Sequence, residues 1–143
     1  MHPQLRQDVE MDAYQVKVGH NYVLHEVPTK SDAASAYQGL WVWLAPNVAL
    51  NYYSNGLSIE RMLPLGPDRM KIHYQYLFKP GANQHEKEHG LATSVLVTKE
   101  DVQITEAVQV NLQSGMYNAG RLSPRHEGGV HYFQQLVERA LHS

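Results

Sequence analysis

From Tyr14 to Phe78, apolar residues recur at every second position in short runs separated by turn residues, and after Gly81 the recurrence lengthens to helical spacing. This change of period constrains the fold more than any other feature. Tyr14, Val16, Val18, His20, Tyr22 and Leu24 read as one face of a strand, with Gln15, Lys17 and Asn21 between them. Residues 28–38 read as a loop, and Leu40-Trp41-Val42-Trp43-Leu44 as a central strand covered on both faces. Ala45-Pro46-Asn47 turns the chain into Val48–Tyr53, and Ser54-Asn55-Gly56 turns it again. Leu57, Ile59, Leu63 and Leu65 share a face of the next strand, with Arg61 as a polar exception. Met70, Ile72, Tyr74, Tyr76 and Phe78 line the one after. Links this short cannot hold crossover helices, so neighbouring strands must pair antiparallel.

The second half is helical. Val102, Thr105, Val108 and Leu112 predict a helix over about residues 98–114, stopped by Gly115. Ser123-Pro124 predicts the start of a last helix, with a serine cap and proline at the first position. Its apolar stripe is Val130, Phe133, Leu136, Val137, Ala140 and Leu141. Strands followed by helices make the expected class α+β, a meander packed against a long C-terminal helix.

The 143 residues match one domain able to bury a core without staples. No apolar run approaches the roughly 20 residues needed to span a membrane. Residues 1–15 are too polar for a signal peptide, so a cytoplasmic location without a membrane partner is expected. A net charge of -2 with scattered Lys and Arg argues against nucleic acid as a partner. There are no cysteines, which excludes disulfides, a thiol nucleophile and thiolate-held iron–sulfur clusters.

Three places carry residues suited to chemistry. His85-Glu86-Lys87-Glu88-His89 matches the zinc-hydrolase pattern, with both histidines on one helical face and Glu86 as base. Its polar setting reads equally as a solvated loop or exposed helix. Asp101 is a candidate metal ligand, but Thr98 to Asp101 also has the spacing of a capping box, and an acid in a first turn suits the helix dipole. His2 is the third, at a terminus where chains fray. Tyr22, Trp41, Trp43, Tyr52, Tyr53, Tyr74 and Tyr76 can wall an apolar cavity or simply pack a sheet, and His20 can line a pocket or sit as a hydrogen-bonded core histidine.

Two C-terminal stretches tie these residues together. Lys99-Glu100-Asp101-Val102-Gln103-Ile104-Thr105-Glu106-Ala107-Val108-Gln109 is followed by Gly120-Arg121-Leu122-Ser123-Pro124 and Glu127-Gly128-Gly129-Val130-His131-Tyr132-Phe133. With Trp43-Leu44-Ala45-Pro46-Asn47, Asn51-Tyr52-Tyr53 and Arg61-Met62-Leu63-Pro64-Leu65-Gly66-Pro67-Asp68-Arg69 before them, they resemble the catalytic domain of Rieske-type non-haem iron oxygenases. The likeness is closest to members that oxidise small quaternary amines or aromatic acids.

The resemblance implies a helix-grip fold, of the Bet v1 or START kind, incomplete at its N-terminus. It implies Fe(II) as cofactor, with Asp101 as carboxylate ligand and His2, in His2-Pro3-Gln4-Leu5, as an imidazole ligand. Two histidines and one carboxylate are the usual set for oxygen-activating iron(II). The family's other histidine, and the acidic residue linking iron to the cluster, would precede Met1. No 2Fe-2S cluster is expected, because the Rieske domain that holds it is absent. The implied partners are a small-molecule substrate, a reductase or ferredoxin, and further copies in a homotrimer. Two other readings stand beside this one: a non-catalytic small-molecule binding module of helix-grip type, and a zinc hydrolase acting through His85, Glu86 and His89.

Overall fold

A computed structural model describes residues 10–28, 37–53, 56–117 and 119–143. After a 3-10 turn at Met11–Ala13 come six strands: β1 (Gln15–Gly19), β2 (Tyr22–Glu26), β3 (Tyr37–Leu44), β4 (Val48–Tyr53), β5 (Gly56–Gly66) and β6 (Arg69–Phe78). Two helices follow, α1 (Gln84–Gln113) and α2 (Gly128–Leu141). The strands form one sheet in sequence order, each antiparallel to the next. The expected α+β meander is therefore present.

Register decides which side chains meet the helices. Trp41 pairs with His25 and Asn51, Asn51 with Ser58, Ser58 with Tyr76, and Glu60 with Tyr74. Directly paired residues share a face, so these side chains form one surface. Both helices make their side-chain contacts to it. Tyr76 Oη and Ser94 Oγ lie 2.7 Å apart, Thr98 Oγ1 donates to Tyr74 Oη at 3.3 Å, and Phe133 meets Trp43 edge-on with ring centres 5.5 Å apart. Asn21 N also donates to Tyr132 Oη of α2 at 2.9 Å.

Several expectations need correction. The apolar alternation from Tyr14 to Leu24 is a hairpin rather than one strand, because Asn21 takes a positive φ of 63° and turns the chain. Asparagine tolerates that region at a tight turn. On β5 Leu57, Ile59 and Leu63 do share a face, but it is the one turned from the helices, toward which Ser58 and Glu60 point instead; Leu63 and Leu65 are exposed. On β3 the named helix contacts go to one side; on the other, among the described residues, Leu40 and Val42 are half-buried and Leu44 is exposed.

The long helix starts well before residue 98. Asn83 is its cap: Asn83 Oδ1 accepts from Glu86 N and Glu86 Oε2 accepts from Asn83 N, each at 2.9 Å. That is the capping box, and the Thr98–Asp101 spacing is not. At 30 residues α1 is about 45 Å long. Its first half rides on the sheet, whereas Val102, Ile104, Val108, Val110 and Leu112 in its second half are exposed. The Val102–Leu112 stripe is thus unburied among the described residues.

Helix α2 begins at Gly128, not at Ser123. Residues 124–126 form a separate turn, and Ser123 N donates to Glu127 Oε2 at 2.5 Å. A methyl at Gly129 would come within 2.8 Å of Val23 Cγ1, so glycine lets the helix approach β2 closely. The neighbouring His25 is half-buried and hydrogen-bonds Tyr14 Oη through Nδ1, and Tyr14 packs on the His126 ring.

Two predictions follow from this packing. Gly39 has φ +65° at a bulge in β3, and a Cβ there would lie 1.7 Å from the Val27 carbonyl oxygen. Gly39→Ala should cost about 2–3 kcal/mol in urea unfolding. Burial lowers the His25 pKa below 6.5. The unfolded chain then binds the extra proton first as pH drops, so stability falls with acidification below 6.5. His25→Gln should flatten that slope in a pH series of urea midpoints.

Candidate functional site

The helical period sets which α1 residues reach the sheet. Ser94, Thr98 and Asp101 are spaced by four and three positions, so they lie along one stripe. Ser94 is buried and tied to Tyr76, Thr98 is half-buried and tied to Tyr74, and Asp101 continues the same line. Where helix and sheet diverge, a cavity of about 240 Å³ opens. Its walls are Trp41 from β3, Asn51 and Tyr53 from β4, Glu60 from β5, Tyr74 from β6, and Ser94, Val97, Thr98 and Asp101 from α1. The volume lies just below the ~300–1,000 Å³ typical of drug-sized ligands, so it suits a smaller one.

A polar network lines one wall. Asn51 Nδ2 donates to Glu60 Oε1 at 2.5 Å and to Ser58 Oγ at 3.1 Å. Tyr53 Oη lies 3.1 Å from Ser58 Oγ and also hydrogen-bonds Ser94. Ser58 is fully buried, and no buried side-chain polar atom among the described residues lacks a partner. Burial pushes the Glu60 carboxyl above the usual range; the Asn51 hydrogen bond opposes this, and the Asp101 charge adds to it. Tyr53 and Tyr74 are raised as well, chiefly by burial.

The sequence-predicted residues fare differently. Asp101 lines the cavity, and its charge reaches both Glu60 and Tyr74. His2 lies outside the described residues. His85 and His89 sit on the exposed first turns of α1 with stacked rings 6.4 Å apart, and the Glu86 carboxylate serves the helix cap. His20 is in an exposed turn and lines no wall of this cavity. Of the candidate aromatics, Trp41, Tyr53 and Tyr74 line the cavity; Trp43 packs under α2, and Tyr52 lies on the reverse face.

Glu60 and Asn51 went unnoticed as site residues. On β5 the signal was the polar pair Ser58 and Glu60 alternating with Leu57 and Ile59, which looks solvent-facing when hydrophobicity alone orients the strand; Asn51 on β4 pairs with Ser58 on the same face.

Oxygen-activating iron(II) is usually held by two histidines and one carboxylate. Asp101 and Glu60 offer carboxylate oxygens, yet no three His, Cys, Asp or Glu side chains among the described residues gather closely enough to hold a metal. The described residues do not by themselves fit a complete iron site. No helix among them is long and apolar enough to cross a membrane.

Ser94 joins helix to sheet at the cavity floor. Ser94→Ala would strip Tyr76 and Tyr53 of a shared partner, at a cost of about 1–2 kcal/mol in urea unfolding with an unchanged m value.

Comparison with known proteins agrees with this architecture. The family model described as ring hydroxylating alpha subunit (catalytic domain) matches residues 2–143. The chloroplastic choline monooxygenase of Atriplex hortensis is 27% identical over 139 residues, covering 94% of this chain and 32% of that protein. The Arabidopsis thaliana choline monooxygenase is 31% identical over 106 residues, covering 73% of this chain and 25% of the relative. This chain thus spans about a third of the length of such relatives. Among solved structures, the quaternary ammonium Rieske monooxygenase CntA superposes with a TM-score of 0.79 at 24% identity, covering 96% of this chain and 40% of that one. That likeness speaks to fold. The extent of the family match, over a sheet-and-helix frame of the same shape, places this chain in the ring hydroxylating alpha subunit (catalytic domain) family.

Proposed function

We propose that this chain is the C-terminal portion of a Rieske-type non-haem iron oxygenase catalytic domain, whose complete site oxidises a small quaternary ammonium compound. One observation carries the reading. Asp101, which the resemblance makes the carboxylate ligand, stands at the edge of a cavity that Trp41, Tyr53 and Tyr74 also line, and not on a helix cap. Choline and quaternary ammonium appear in the names of the relatives and of the structural neighbour. The exposed apolar second half of α1 also supports a larger domain, since the rest of such a domain would cover it.

In this reading Asp101 and His2 supply two of the three iron ligands, and bound iron would supply oxygen activation. The chain's own work is containment and placement. Tyr74 and Tyr76 fix α1 by its hydroxyl residues, so the cavity keeps its width. Trp41, Tyr53 and Tyr74 line the cavity and offer rings to an apolar or cationic guest. Electrons would come from a reductase or ferredoxin by way of a Rieske cluster outside this chain. A cytoplasmic location and a homotrimeric assembly belong to the same proposal. A metal-independent binding module would use the same cavity.

Anaerobic calorimetric titration with iron(II) separates the two. The oxygenase reading predicts one site weaker than micromolar, because an incomplete ligand set loses affinity, and its loss in Asp101→Ala. Equal iron binding by wild type and Asp101→Ala would exclude Asp101 as a ligand. Micromolar or tighter binding would contradict an incomplete set.

A further inference from the structure

We infer that Glu60 is the specificity-determining counter-charge for a quaternary ammonium group held in the cavity between α1 and the sheet. The inference rests on the substrate class just proposed, and it assigns that class a residue.

The argument starts from what such a cation offers. A quaternary nitrogen has no N–H, so no acceptor can grip it by a hydrogen bond. Recognition must come from ring faces and from a nearby negative charge. The cavity supplies both: Trp41, Tyr53 and Tyr74 contribute rings, and Glu60 a carboxylate. No Lys, Arg or His occurs among the described lining residues, so no fixed cation competes with the guest.

Glu60 is better placed than Asp101 for this task. Glu60 is half-buried and central in β5, whereas Asp101 is exposed at the cavity edge. The same charge acts more strongly where water is scarcer. The carboxylate is also positioned in advance. Asn51 Nδ2 holds Oε1 at 2.5 Å and is itself braced by Ser58 Oγ at 3.1 Å. A side chain already fixed loses little rotamer freedom when the guest arrives.

The alternative is that Glu60 only satisfies Asn51. Glu60→Gln separates the two roles, since the amide oxygen still accepts from Asn51 while the charge is gone. The experiment is calorimetric titration of the full chain, in EDTA, with choline and with its uncharged isostere 3,3-dimethylbutan-1-ol. Wild type should prefer choline by about tenfold. In Glu60→Gln that preference should fall to near unity, with the affinity for the alcohol unchanged. Glu60→Asp keeps the charge and should retain most of the preference, which also covers the case in which the glutamine variant fails to fold.

Preference intact in Glu60→Gln, equal affinity of wild type for both ligands, or no choline binding by wild type would each overturn the assignment. Because iron is excluded, these outcomes are independent of the metal titration. Choline preference without iron binding would spare Glu60 and sink the oxygenase reading; the reverse would do the opposite.

Discussion

Two hydroxyl pairs hold the long helix to the sheet, Tyr76 with Ser94 and Tyr74 with Thr98, and the candidate site depends on them. Ordinary helix-on-sheet packing would close this interface with aliphatic side chains and leave no space. Here long tyrosines from β6 reach up to short hydroxyl residues on α1. The helix therefore stands off the sheet just beyond the contact. A cavity follows from that spacing, and Asp101, one turn further along the same stripe, comes to its edge.

The polar wall beneath the helix costs desolvation that only complete hydrogen bonding offsets. Asn51, Ser58, Tyr53 and Ser94 meet that demand among themselves. Glu60 enters the network through one oxygen only, and its carboxyl is raised by burial and by Asp101. An incoming cation would ease both effects.

Much of the architecture was legible in the residues. Turn chemistry at Pro46-Asn47 and at Pro67-Asp68 located the breaks between β3 and β4 and between β5 and β6. The shift to helical period separated sheet from helices, and Asp101 could be singled out by the segment around it. Faces were harder. On β5 the face with Leu57, Ile59 and Leu63 lies away from the helices, and Ser58 and Glu60 turn inward into a hydrogen-bonded network with Asn51, which inverts the usual pattern. The start of α1 was hidden by the polar run from Asn83 to Glu88. Those residues look like a loop until Asn83 and Glu86 are recognised as a reciprocal cap. The turn between β1 and β2 was masked by alternation that happened to continue across it.

In the function proposed above, a divalent metal would seat beside Asp101, within the cavity between α1 and the sheet. The chain has two tryptophans, and they are well placed to report on it: Trp41 lines the cavity, while Trp43 packs against Phe133 under α2. Sub-stoichiometric manganese(II), a paramagnetic stand-in for iron(II), can be followed by NMR of the two indole N–H signals. The account predicts that the Trp41 signal broadens first and that Asp101→Ala abolishes the effect. Equal broadening of both indoles, or broadening confined to the His85 and His89 resonances, would contradict it.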